Sequence, residues 1–341
     1  MRYTISLLLA STALAAPAIA EVPSVVTDIP PVHSLVAQVM GDLGQPVLLI
    51  DRGANAHDFQ LKPSQTAALA EADLVVWIGP EMTPWLDRAQ DTAEGAERLG
   101  LLAAPGTELR DFGAADPHDH AEEAAHDDHG HDHAEEAGHD DHAHDHDAAA
   151  EAGHDDHGHD DHAGHDHSGT DPHAWLDPAN ARLWLGTIAA SLSAIDPANA
   201  AAYTANAEAA VARIDTLDTT LAARLAPLHD KPIVVFHDAY GYFADHYDLT
   251  IAGAIALGDA ASPGAAHLKG LQAKMQGGAP VCIFPEANHD PKLVDTMVEG
   301  TGARIGAPLD PEGSMLDPGP GLYDALLTGL ADALTGCLAE S

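Results

Sequence analysis

A chain of 341 residues with 54 acidic and 14 basic side chains carries a formal net charge of −40 at pH 7, a field that repels nucleic acid and anionic membrane surfaces while attracting cations. No apolar run reaches the roughly 20 residues needed to span a bilayer. The 24 histidines are unevenly spread, and 16 of them fall between residues 116 and 168.

The first twenty residues read as an export signal. Arg2 supplies the positive start, Ile5 to Ala16 the apolar stretch, and Ala18-Ile19-Ala20 a small-x-small cleavage site, so a mature chain beginning at Glu21 in the bacterial periplasm is expected. A lipoprotein would carry a Cys just after the signal, and none is there. From Ser24 to Ala89 short apolar runs alternate with helical spacing. Ser24 to Ile29, Pro46 to Ile50 and Leu74 to Ile78 (LVVWI) predict strands; Val32 to Met40, Pro63 to Glu71 and Met82 to Ala89 predict helices. This alternation predicts an α/β fold with a parallel sheet flanked by helices.

Residues 116–168 interrupt that lobe. The segment contains near-copies of one octad, HDDHGHDH from His126, HDDHAHDH from His139 and HDDHGHDD from His154. It has 19 acidic residues, no Lys or Arg, and no Leu, Ile, Val or aromatic side chain. Such a composition cannot bury enough apolar area to offset about 1–2 kcal/mol of backbone ordering entropy per residue, so a mobile loop is expected. Neutral imidazole suits zinc, copper and nickel, and a flexible chain can gather several of them around one ion. The segment is therefore read as a metal-collecting tether rather than an acidic linker.

A helix from Pro178 to about Ala194 closes the first lobe. Asp196-Pro197 is expected to cap and open an Ala-rich helix reaching Leu225, which at 1.5 Å per residue would run about 45 Å and join two lobes; two stacked helices are the alternative. Strands and helices then alternate again. Strands are expected at Ile233 to Phe236, Ile251 to Ile255, Val281 to Phe284 and Ala303 to Ile305, with helices near Tyr240 to His246, Pro263 to Gln276, Pro291 to Gly300 and Tyr323 to Leu338. The expected domains are thus 1–20 (signal), 21–195 (first lobe, with the loop 116–168), 196–227 (linking helix) and 228–341 (second lobe). In an oxidising compartment the two cysteines, Cys282 and Cys337, favour one disulfide. With no CxxC motif present, it would serve stability.

Three histidines outside the tether lie in loops at or near the C-terminal ends of strands, where α/β sheets bind ligands. His57 lies in GANAHDFQLKPS, His173 in TDPHAWLDP where the tether ends, and His237 directly after the strand IVVF. Asp58 and Asp238, next to two of them, are candidate acceptors that would fix an imidazole tautomer. His33, His229, His246, His267 and His289 share no motif, and most of them are expected to be surface or capping residues. Trp77, Trp85, Trp175 and Trp184 are expected in the core.

These motifs, with LVVWIGPEM, FHDAYGYF, the long helix and the cysteine pair, closely resemble the periplasmic zinc-binding proteins of ABC zinc importers, the ZnuA type. The resemblance covers residues 22–341. It implies two lobes of four-stranded parallel sheet joined by a rigid helix, zinc held in the cleft by His57, His173 and His237, and delivery to a membrane permease. In some members a Glu precedes the first histidine, whereas here Ala56 stands there. That leaves the fourth position to water, to Asp310 in PLDPEG, or to a tether histidine. The resemblance implies no enzymatic activity, and a monomer is expected. Competing readings are a zinc hydrolase, which three histidines and an open position would suit but for which HExxH and an obvious general base are missing; a manganese or nickel importer component or adhesin of the same fold; and a zinc buffer.

Overall fold

The computed structural model describes residues 22–57, 59–90, 95–112, 169–256, 258, 263–278 and 282–338. The expected signal segment, the tether 116–168 and Asp58 lie outside the described residues. Two four-stranded sheets, parallel throughout, form the framework. The first has the order β2-β1-β3-β4, with β1 at Val25–Thr27, β2 at Val47–Leu48, β3 at Leu74–Trp77 and β4 at Glu97–Gly100. Helices α1 (Pro30–Met40), α2 (Pro63–Ala70), α3 (Pro84–Ala89) and α4 (Pro178–Ile195) belong to this lobe. All four open on proline, whose missing N–H costs nothing in a first helical turn.

β1 and β3 are buried along their whole length, as befits central strands covered on both faces. The apolar runs predict three strands here. The fourth, β4 (ERLG), escapes them because it is an edge strand with Glu97 and Arg98 exposed.

The second sheet has the order β6-β5-β7-β8, with β5 at Ile233–His237, β6 at Ile251–Ala256, β7 at Cys282–Ile283 and β8 at Arg304–Ile305. The long helix between the sheets, α5, spans Ala200–Leu225. Its start differs from expectation. The Asp196 backbone N–H closes α4 on Leu192, and its Oδ2 accepts from Asn199 Nδ2 at 2.7 Å and Tyr203 Oη at 3.0 Å. Asp196 thus organises the corner between α4 and α5 rather than capping α5, whose 26 residues reach about 39 Å.

Around the second sheet lie α6 (Gly241–His246), α7 (Ala265–Gln276), α8 (Lys292–Val298) and α9 (Leu322–Leu338). α9 reaches beyond its own sheet: it packs on α1 and α5, with Tyr323 donating from its backbone to Ser34 Oγ (3.0 Å) and from its hydroxyl to the Trp175 carbonyl (2.8 Å). One apolar core consequently runs through both lobes. The Cys282–Cys337 disulfide is formed and staples α9 to β7.

Candidate metal centre

His237 is the last residue of β5, a central strand of its sheet, and its side chain is buried. Its Nδ1 meets Glu286 Oε2 at 2.5 Å, and the Tyr240 hydroxyl donates to the same oxygen at 3.3 Å. His173 stands in the turn that leads into α4. Asp171 Oδ1 accepts both the His173 backbone N–H (3.0 Å) and Nδ1 (2.7 Å), so the short TDPH segment sets the direction of its own imidazole. Trp175 and Phe112 flank that ring at centroid distances of 5.2 and 6.5 Å.

An ionised carboxylate only accepts hydrogen bonds, so Asp171 and Glu286 each assign the proton of their imidazole to Nδ1. Each Nε2 then carries the lone pair of its ring, and the two Nε2 atoms lie 3.4 Å apart. Two lone pairs at that distance repel unless a proton or metal cation lies between them. For a tetrahedral zinc with Zn–N bonds of about 2.0–2.1 Å, two donors stand about 3.35 Å apart, and rings bound through Nε2 have centroids about 5.2 Å apart. The His173 and His237 centroids are separated by 5.3 Å.

His57 lies beside His173, its ring centroid 5.7 Å from that of His173. It rides on the irregular chain between β2 and α2. Its backbone N–H donates to Asn55 Oδ1 (2.7 Å), and Trp85 Nε1 holds the Ala56 carbonyl (2.8 Å). The same loop is tied across the cleft: Gly53, at φ +74°, donates its N–H to the Ser314 carbonyl (3.1 Å), and Arg52 pairs with Asp317 (2.8 Å). Among the described residues no three His, Cys, Asp or Glu side chains already converge on one point that could hold an ion. The structure brings His173 and His237 to ligand spacing and sets His57 beside His173.

Asp310, one expected source of a fourth ligand, is otherwise occupied. Its Oδ1 accepts from the Ser314 backbone (2.9 Å) and Oγ (3.1 Å), and its Oδ2 from the Met315 backbone (2.9 Å). It closes the turn 310–315. A cavity of about 120 Å³, lined by Asn55, Glu286, His289, Asp310 and Glu312 among others, adjoins the cluster and has the polar lining that suits ordered water.

The acceptor that orients His237 is not the neighbour that the sequence suggested. Asp238 makes way for Glu286, 49 residues from its histidine, because residues adjacent in a chain seldom point the same way. Burial pushes the Asp238 carboxyl up, and Asp171 adds to this. Asp171 itself lay two positions from His173 in a visible Asp-Pro-His motif. Three further histidines among the described residues make structural contacts. His33 is buried with Nε2 on the Pro46 carbonyl, and His267 meets the Ala254 carbonyl at 2.8 Å. His246 bridges Asp177 and Asp218, each at 2.8 Å. The four tryptophans are buried, yet Trp85 and Trp175 also shape the walls around His57 and His173.

Two four-stranded α/β lobes, bridged by long helices and meeting over paired imidazoles, define a two-lobed binding protein with a histidine-lined cleft. Residues 25–337 match the family model described as ZnuA, the periplasmic component A of a zinc-uptake complex, and the chain belongs to that family. It is 49% identical over 325 residues, 95% of this chain and 94% of the relative, to the high-affinity zinc uptake system protein ZnuA of Paracoccus denitrificans strain Pd 1222. Among solved structures it is similar to a zinc-bound ZnuA lacking residues 138–173 of its own chain, with a TM-score of 0.67 and 23% identity over 92% of this chain and 98% of that one. It is also similar to the Mn2+ complex of the solute-binding protein FpvC of Pseudomonas aeruginosa, with a TM-score of 0.70 and 20% identity over 94% and 99%. These two likenesses concern the fold.

Proposed function

We propose that this protein captures Zn2+ between His57, His173 and His237 in the periplasm and hands it to the membrane permease of an ABC importer. The observation that carries the reading is the pair of Nε2 atoms 3.4 Å apart, each imidazole fixed from behind by a carboxylate. A cation between them turns a repulsion into two bonds. His57 moves in as the third ligand, and water from the adjoining cavity is the fourth. Three imidazoles and a water suit zinc; manganese calls for more oxygen donors, which neither Ala56 nor the engaged Asp310 supplies.

The tether 116–168 serves as an accessory collector. A linked segment rich in imidazole and carboxylate raises the local ion concentration at the cleft. The reading is of a binder rather than a hydrolase, since Asp171 and Glu286, the carboxylates on the cluster, are each committed to an imidazole Nδ1. The protein works as a monomer and reaches the periplasm through its N-terminal signal.

Competition with a zinc chelator tests this. The wild type holds one zinc far more tightly than any other, and His57→Ala, His173→Ala and His237→Ala each weaken that zinc more than about 100-fold, beyond the 10–100-fold typical of groups that only support a ligand. Wild-type affinity in His237→Ala overturns the reading.

A further inference from the structure

Arg110 is a cation held where solvent barely reaches: its side chain is 11% exposed and that of its partner Asp171 not at all. Nη1 lies 3.4 Å from Asp171 Oδ2, the oxygen that His173 leaves unused. The other contacts of Arg110 lead across to the second lobe. Its Nε donates to Asp245 Oδ2 at 3.0 Å, and its backbone N–H donates to the Tyr242 hydroxyl at 2.8 Å. That hydroxyl in turn donates to the Asp171 carbonyl at 3.0 Å, and the Asp171 N–H donates to the Arg110 carbonyl at 2.8 Å. Tyr242 and Asp245 both belong to α6, which begins four residues after His237.

The guanidinium lies directly on the start of that helix. A Cβ added at Gly241 would stand 2.2 Å from Arg110 Nη1 and 2.3 Å from its Cζ, so glycine is what allows the approach. α6 is therefore connected to both imidazoles: to His237 through the chain, and to His173 through Arg110 and Asp171.

We propose that Arg110 is a positioning residue for the metal cluster, which fixes Asp171, and through it His173, only while α6 is docked against the first lobe. The inference rests on the reading of the three histidines as zinc ligands. Retention of zinc then depends on lobe contact. Displacing α6 removes the cation that immobilises Asp171 and frees His173 to turn from His237. The electrostatic part is strong because the pair is desolvated, and a carboxylate gripped by a guanidinium has little freedom to rotate. Asp171 thus orients its histidine through a braced hydrogen bond. Glu286, whose oxygens face His237, Tyr240 and, at 3.8 Å, His289, does so with no arginine within ion-pairing distance among the described residues.

The experiment is stopped-flow release of zinc into excess chelator, on the full-length protein loaded with one equivalent, with thermal stability measured in parallel. Arg110→Gln is expected to speed release at least tenfold, and Arg110→Lys to recover part of the loss. Gly241→Ala keeps every charged group but pushes the guanidinium aside, and Asp245→Asn cuts only the exposed arm to α6. They are expected to speed release about tenfold and about threefold, at stabilities close to the wild type. The decisive comparison is a double-mutant cycle: Arg110→Gln adds little in an Asp171→Asn background and its full factor in a Glu286→Gln background. If Arg110→Gln folds poorly, Gly241→Ala takes its place in the cycle. Release within twofold of wild type in Gly241→Ala and Asp245→Asn, or equal factors in the two backgrounds, overturns the proposal. Tight zinc surviving His173→Ala instead overturns the reading of the site.

Discussion

Glu286 offers a direct probe of how the cluster is held. The His237 imidazole is 1% exposed, so bulk solvent competes little with the carboxylate at Nδ1. Glu286→Gln preserves the shape and one acceptor but removes the charge. A hydrogen bond to a charged group is worth about 1.5–3 kcal/mol against about 1 kcal/mol for a neutral one. The substitution should therefore cost about 1 kcal/mol of zinc binding, a factor of about 5 to 10. Glu286→Ala loses both the acceptor and the restraint on ring rotation, and should cost about 10–100-fold. Chelator competition at pH 7.5, with melting temperatures recorded on the same samples, gives both numbers. If the alanine variant folds normally and binds zinc within twofold of the wild type, the imidazole is not oriented from Nδ1, and the tautomer argument fails.

Other outcomes follow from the same geometry. Zinc coordination requires neutral imidazoles, so binding releases protons and affinity falls as pH drops from 7.5 to 5.5; calorimetry in buffers of different ionisation enthalpy measures the protons released, and an affinity flat across that range contradicts the three-histidine cluster. His246 has a carboxylate 2.8 Å from each ring nitrogen, so both nitrogens donate and the ring is an imidazolium. Burial alone would lower its pKa, but Asp177 and Asp218 raise it above the ordinary value, while Arg182 competes for Asp218. Its stabilising contribution is complete below about pH 6.5 and fades as pH rises through the higher folded value; the stability gap between wild type and His246→Gln should therefore shrink from pH 6 to pH 9. Reducing Cys282–Cys337, a closure of 55 residues, should cost about 4 kcal/mol and lower the melting temperature by roughly 10 °C with zinc affinity retained.

Much of this architecture is written plainly in the chain. LVVW and IVVFH read as strands because both faces of each are buried. The histidines at strand ends could be found because α/β sheets present their C-terminal ends to ligands. What stayed hidden depends on tertiary contact. β4 has no apolar signature because it borders its sheet. The start of α5 at Ala200 was masked by the pair Asp196-Pro197, which also opens helices, and the Asn199 and Tyr203 side chains that hold the corner carry no local signal. Glu286 belongs to His237 only after two strands have been laid side by side. Arg110 appears in the sequence as one of few cations near a long acidic stretch, and nothing local links it to α6.

Zinc-edge X-ray absorption is the measurement to make first, on protein lacking residues 117–167 and loaded with one equivalent of zinc, so that tether histidines cannot contribute. Three imidazole nitrogens at about 2.0–2.1 Å, with a single light oxygen donor, are the predicted shell, and replacing His57, His173 or His237 by alanine should remove one imidazole from it. A shell with two imidazoles or fewer, or loss of tight zinc when the tether is removed, would contradict the assignment of capture to the cleft.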